Sequence, residues 1–297
     1  MLEKALVVAA ALAGSVFTAI GIVVRQRATT DVPADQGVSA LMIKTLLGRR
    51  IWWAGTAAAV VGYAFYAVAL ARGSLLLVAP LMVSALLFAL PLSAWISHRR
   101  VSRATWGWAG LLTLGLAVFV ALARTTPGDY EGSEKAVLAV AALSIGCVAA
   151  CLLAASRFSD WRRAILLALP VGVLFGVVAV LTKIVTHLLT QDGVAHALKH
   201  PATYALIVVA ICATLLQQSA FHAGSLQASV PAMLVLEPLV AVLIGQVVLG
   251  EHLAVSTLRA VALGAAMAAM AAATIALGRD EGAYEDELEA TARGARG

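Results

Sequence analysis

Long apolar runs, each near the roughly 20 residues that cross a bilayer as a helix, alternate along the chain with short connections that carry most of its charge. Nine runs can be read, at residues 4–24, 51–71, 75–97, 104–123, 135–156, 162–187, 204–222, 227–249 and 256–278. The pattern predicts an all-α, polytopic membrane protein of nine transmembrane helices in a single transmembrane domain, residues 1–278. The first run is longer than the 7–15-residue apolar core of a signal peptide, and its flank offers only Lys4 against Glu3, so it is expected to stay as a helix. Two segments are expected outside the bilayer. Residues 28–50 hold Asp31, Pro33 and Asp35 and then an amphipathic stretch, Ser39 to Arg50, suited to the cytoplasmic surface with Lys44, Arg49 and Arg50 toward anionic headgroups. Residues 279–297 form a polar cytoplasmic tail, expected as a frayed helix or disordered.

The runs are not independent of one another. Gly73-Ser74-Leu75 recurs as Gly224-Ser225-Leu226, and at the same shift Pro80 falls on Pro231, Met82 on Met233 and Trp53 on Tyr204. One helix earlier, Gly14-x-x-Phe17 followed by Arg25 matches Gly172-x-x-Phe175 followed by Lys183. Helices 1–4 (residues 1–123) are therefore expected to repeat as helices 6–9 (162–278), with helix 5 (135–156) as connector. Corresponding helices are an odd number apart, so the second copy enters the membrane from the opposite side. Such inverted repeats are common in secondary transporters, where the substrate site lies near the midplane between the halves.

Composition sharpens this picture. Of 297 residues, 62% are apolar and only 12% charged, about half the charged share of a soluble domain. A water-soluble globule and a disordered chain are both excluded. The net charge of +5 reads as a topology signal, not as a nucleic-acid footprint, because the basic residues cluster in loops. Arg25, Arg27, Lys44, Arg49, Arg50, Arg99, Arg100, Arg103, Arg157, Arg162 and Arg163 all fall on one side. The positive-inside rule makes that side cytoplasmic, placing the N-terminus outside and the C-terminus inside a cell membrane. Cys147, Cys151 and Cys212 lie in apolar runs and imply packing, not a disulfide framework. No Walker A loop, His-x-Glu zinc pattern or Ser-His-Asp set is present, so neither an enzyme nor a cofactor or metal site is expected.

Ionisable and polar residues inside the bilayer are the functional suspects. Glu237 sits at the centre of the eighth run, before Pro238, and a carboxyl group at that depth suits proton linkage. Gln217 and Gln218 can both donate and accept, and Gln217 is the repeat partner of Tyr66. Tyr63 and Tyr66 share one face of the second run. These five are the candidate substrate-binding residues. Arg25 and Lys183 occupy matched positions toward the far ends of the first helix of each repeat, as snorkelling interfacial cations or as gates that attract an anion. Pro80 and Pro231 should kink the third helix of each repeat, and Pro238 loosens the eighth.

Taken together, these residues resemble the drug/metabolite transporter superfamily. Arg50-Ile51-Trp52-Trp53-Ala54-Gly55 through Gly62 to Val78-Ala79-Pro80-Leu81 is similar to the magnesium-transporter branch known as NIPA. Leu236-Glu237-Pro238-Leu239 and Leu249-Gly250-Glu251-His252-Leu253 are similar to the EamA-type branch. The resemblance implies nine spans with the N-terminus outside and transport by alternating access. Where the magnesium branch tends to carry an acid and an Asn, this chain has Tyr63 and Tyr66, poor partners for a cation that wants hard, anionic oxygens. The expected function is a carrier for a small polar metabolite or lipid head group, with Glu237 as the proton-linkage candidate. A magnesium or divalent-cation pathway is the alternative. A non-transporting membrane subunit of an envelope-assembly complex is the second. The partners expected are the lipid bilayer and a small-molecule substrate; a homodimer is compatible with the pattern.

The topology carries its own test. Single cysteines placed in intact cells at residues 98–103 should be shielded from an impermeant thiol reagent, whereas cysteines at Gly128 and Gly193 should react. Reaction of the 98–103 positions from outside would reverse the orientation.

Overall fold

The computed structural model describes residues 2–30, 48–96, 101–123, 125–126, 134–158, 160–222, 226–253 and 256–294. The amphipathic stretch expected over 39–50 therefore lies almost wholly outside the described residues. Eleven helices follow one another: α1 (Leu2–Thr30), α2 (Arg50–Arg72), α3 (Leu75–Met82), α4 (Ala85–Ile96), α5 (Arg103–Leu122), α6 (Glu134–Ala155), α7 (Asp160–Gln191), α8 (Val194–Lys199), α9 (Pro201–His222), α10 (Leu226–Leu249) and α11 (Thr257–Gly294). The described residues are all but entirely helical. The one sheet among them is a pair of two-residue antiparallel strands, β1 (Thr125–Thr126) and β2 (His252–Leu253), with Thr125 opposite Leu253.

Eight helical segments among the described residues are long and apolar enough to cross a membrane: Glu3–Val24, Arg50–Arg72, Leu75–Ile96, Arg103–Leu122, Val137–Ala155, Ile165–Gln191, Ala232–Leu249 and Thr257–Arg279. The seventh expected run differs. It is helical over Pro201–His222, but its described apolar part, Pro201–Gln217, falls short of that length. In the tail, α11 continues as helix through Gly294, the helical one of the two forms expected there.

The third span is two helices. Pro80 has no N–H to give, and the chain from there is held by shorter bonds, Val83 N to Pro80 O (3.3 Å) and Ser84 N to Leu81 O (3.0 Å), before α4 resumes. The break falls at Val83–Ser84, three residues beyond the proline. Ser15 of α1, fully buried, reaches this break with its hydroxyl, 3.5 Å from Leu81 O and 3.7 Å from the Met82 sulfur. The symmetric kink expected at Pro231 has no matching break, since α10 runs unbroken through Pro231 and Pro238.

Small residues set the tight crossings. A Cβ on Gly62 would lie 2.7 Å from Thr18 Oγ1 and 2.8 Å from the Thr18 backbone N, and one on Gly21 would lie 2.9 Å from the Ala59 N. So α1 and α2 touch backbone to backbone and run antiparallel. In the second half, a Cβ on Gly172 would meet Leu236 at 2.8 Å and one on Gly176 would meet Val240 at 2.6 Å. Both contacts advance in step along the two chains, so α7 and α10 run parallel. In a bilayer, where lipid tails are as apolar as Leu, close approach of this kind is a main source of helix–helix affinity. The main core joins both halves through Leu70, Leu75, Leu112, Leu116, Val180 and Leu249. By contrast, α6 packs chiefly along α7, and none of its residues from Val137 to Ala154 is buried.

These contacts separate two kinds of glycine. Gly62→Ala should destabilise the purified protein by about 1–3 kcal/mol through overpacking. Gly146→Ala, where a Cβ meets nothing within 4 Å, should be neutral or stabilising by up to about 1 kcal/mol from helix propensity. Thermal unfolding in detergent checks both; equal effects would mean the α1–α2 crossing is not tight.

Candidate functional site

Two polar clusters form where α2 and α3 meet α7 and α10. The first surrounds the tyrosines. Tyr63 and Tyr66 stand one turn apart on α2, ring centroids 6.2 Å apart and planes inclined by 57°. The Tyr63 hydroxyl lies 2.8 Å from Thr182 Oγ1 of α7. Thr182 is buried and donates its own proton to Val178 O at 2.7 Å, so Tyr63 donates to Thr182 and keeps its lone pairs open. Glu237 of α10 is close enough for its charge to act on the Tyr66 hydroxyl. It is partly buried, on the turn whose neighbours Leu236 and Val240 press against Gly172 and Gly176. Three helices, one from the first half of the chain and two from the second, thus bring Tyr63, Tyr66, Thr182 and Glu237 together.

Of the other expected site residues, Gln217 is partly buried on α9, beside Leu216, which packs against the apolar cluster of Leu167, Val171 and Met233. The side chains of Gln218, Arg25 and Pro231 lie outside the described residues. Pro80 and Pro238 face each other across a small cavity of about 30 Å³ between α3, α10 and α11, closed by Val83, Leu234 and Met270. That volume holds about one water, not a metabolite.

The second cluster is where the structure departs most from expectation. Lys183 does not snorkel to an interface. It is 5% exposed, and its ammonium donates to Leu70 O and to Gly73 O (2.5 Å for the latter), carbonyls at the C-terminal end of α2 that the helix leaves unpaired. On the other side of the same turn, Glu251 is 1% exposed. Its carboxylate accepts from Ser74 Oγ (2.6 Å), Leu75 N (3.0 Å) and Leu76 N (3.1 Å), the free donors that open α3. Ser74 also caps α3 directly, accepting from Leu76 N at 3.1 Å. The Lys183 and Glu251 charges lie within electrostatic reach of each other. A cation on a helix C-terminus and an anion on a helix N-terminus both complement the backbone dipoles, and hydrogen bonds to charged groups are worth roughly 1.5–3 kcal/mol each.

Glu251 is the functional-site residue that the hydropathy pattern misses, because it lies beyond the apolar run. Gly250, in a left-handed conformation at φ 66°, ends α10 and turns the chain so that the Glu251 N–H reaches back to Gly245 O (3.3 Å) and its side chain points inward. The Gly-Glu pair at the end of an apolar helix was the available signal. A comparable tie holds the start of α1: Lys4 donates to Val120 O (2.5 Å) and Ala123 O (2.8 Å) at the end of α5.

Fold and polar interior define a multi-pass helical membrane protein with charged groups buried between its helices. The chain is 36% identical over 279 residues to an uncharacterised Corynebacterium glutamicum protein, Cgl0250/cg0304, a match covering 94% of this chain and 96% of that protein. It belongs to the same family. No family model matches the chain, and no solved structure matches it.

The Lys183 arrangement predicts a large single-residue effect. Lys183→Met should lower stability by roughly 3–5 kcal/mol, because it strands the Glu251 charge and the α2 carbonyls in a low-dielectric interior. Lys4→Met, at a half-exposed end, should cost far less. Thermal unfolding of the two variants side by side tests this, and equal losses would contradict it.

Proposed function

We propose that this protein is a secondary carrier of the drug/metabolite transporter type, moving a small polar metabolite or lipid head group across the cytoplasmic membrane by alternating access. One observation carries the reading: the Tyr63 hydroxyl meets Thr182 across the two halves of the chain, with Tyr66 beside it. A few convergent polar groups set among aromatic and apolar walls are the usual make-up of a small-molecule site.

The nine-span inverted repeat supports this reading and draws support from the geometry. Lys183, late in α7, meets the end of α2, so those two helices run the same way and α1 runs against α7. The first helix packs on the second and third in the first half. In the second half, α7 packs likewise on α9 and α10. The reading takes α9, which packs on α7 between the parallel α7 and α10 in chain order, as the remaining crossing of the nine. Gly62 and Gly21 have repeat partners in Ala213 and Ala179, both buried, at the positions where a second tight crossing is required. The N-terminus lies outside and the C-terminus in the cytoplasm on the positive-inside reading.

Against the magnesium alternative stands the donor set. Among the described residues no three His, Cys, Asp or Glu side chains gather in one place, and Mg²⁺ sheds its waters reluctantly for anything but hard, anionic oxygens.

Flux in liposomes made from the purified protein alone separates a carrier from a subunit that only supports a partner. In that assay Glu237→Gln should keep the protein folded and abolish the pH dependence of flux; an unchanged pH profile would make Glu237 structural. A thermal-shift screen should show stabilisation by a polar organic solute, about 2.7 kcal/mol at a hundredfold excess over Kd. Millimolar Mg²⁺ should produce none; Mg²⁺ uptake by the unmodified protein would promote the cation reading instead.

A further inference from the structure

Apart from Tyr63 to Thr182, the bonds described between the two halves are distributed one-sidedly. Lys183 to Leu70 and Gly73, Glu251 to Ser74, Leu75 and Leu76, and the β1–β2 pair all lie at the end of the molecule where α2 stops, α3 begins and α10 finishes. Leu75 adds an apolar contact there, its side chain 3.1 Å from the position of a Cβ on Gly245. Tyr66 lies seven residues before Gly73 on α2, roughly 10 Å deeper, and Glu237 lies twelve residues before the end of α10, roughly 18 Å deeper. The turn at Gly73–Ser74 is thus interposed between the tyrosine–glutamate cluster and the nearer membrane face.

The two halves are stiff on either side of this turn. The first is welded at the Gly62 and Gly21 crossings, the second at Gly172 and Gly176. A solute can reach the cluster from the Ser74 face only if the α2–α3 turn parts from α7 and from the end of α10. That movement breaks the Lys183 and Glu251 bonds and unpacks Leu75 from Gly245 and from the core it shares with Val180 and Leu249.

We propose that Glu251 is a gating residue: its carboxylate latches the α2–α3 turn and holds the site closed to the face that carries Ser74. The proposal rests on the carrier reading above and assigns this structure to the state closed on that face. Lys183 is the second jaw, gripping the carbonyl side of the turn while Glu251 grips the amide side. Glutamine at 251 keeps the shape and one accepting oxygen but loses the charge and one of the two acceptors. Its closed state is therefore weaker, and the open state gains population.

The test reads accessibility from one face. In a full-length chain with Cys147, Cys151 and Cys212 changed to Ala, Tyr66→Cys serves as reporter. Vesicles of defined orientation receive an impermeant maleimide on the Ser74 face. Glu251→Gln should raise the labelling rate about tenfold or more, as a shift toward the open state requires, and Glu251→Asp should fall between the two. Leu167→Ala, which loosens the separate cluster of Leu167, Val171 and Met233 away from the turn, should leave the rate unchanged. Equal labelling in the parent and Glu251→Gln, or an equal rise in Leu167→Ala, overturns the latch. If Glu251→Gln does not fold, Ser74→Ala removes one of the three donors and should raise labelling by a smaller factor; no rise overturns the proposal as well. Labelling does not depend on the solute, so a chain that gates but carries nothing in liposomes keeps the latch and loses the carrier reading.

Discussion

A helix end buried between other helices has no water to turn to, and this requirement organises the molecule. The α2–α3 connection leaves carbonyls at Leu70 and Gly73 and amides at Leu75 and Leu76, all in buried surroundings where an unpaired backbone group costs several kcal/mol. Ser74 can satisfy only part of the amide side. The remainder is supplied by Lys183 and Glu251, two side chains from the other half of the chain. The shape of the first half at this point is therefore a property of the second. The main core, which runs from Leu70 and Leu75 through Val180 to Leu249, forms around that junction.

The arrangement also explains which polar residues can be buried without harm. A lone Lys or Glu at such depth would be expensive, but each here meets a helix terminus of the opposite partial charge, and the two are near enough to offset one another. Glu237 is in a different situation. It sits mid-helix beside a proline, partly buried, on the turn that presses against Gly172 and Gly176.

The apolar runs made the helices legible, since length and hydropathy fix where a chain can cross a bilayer. Gly14 and Gly172 were legible as matched positions of the repeat; their close packing against α2 and α10 comes from the structure. Lys183 was not, because the pattern places it near the end of a run where snorkelling is the ordinary outcome. Its burial depends on the recessed turn, which no local feature of residues 160–191 announces. Glu251 was hidden by its position past the last apolar residue, and only the left-handed Gly250 brings it back inside. Repeat matching equated Pro80 with Pro231, but the break in the first copy also depends on Val83–Ser84 and on Ser15 of α1. The tail was legible only as a choice between frayed helix and disorder, because its polar composition favours disorder unless a preceding helix is already nucleated.

The dependence of the α2–α3 turn on remote side chains has a consequence for how the protein is made. Lys183 follows Leu70 by 113 residues and Glu251 follows Ser74 by 177. At roughly 5–20 residues per second of synthesis, the turn exists for some 9–35 s before its last partner emerges. During that interval α2 and α3 sit in the membrane with bare termini, held by the Gly62 crossing and by whatever water or lipid head group reaches them. The first half is thus a waiting template, and the assembly of this protein is completed by its final two helices.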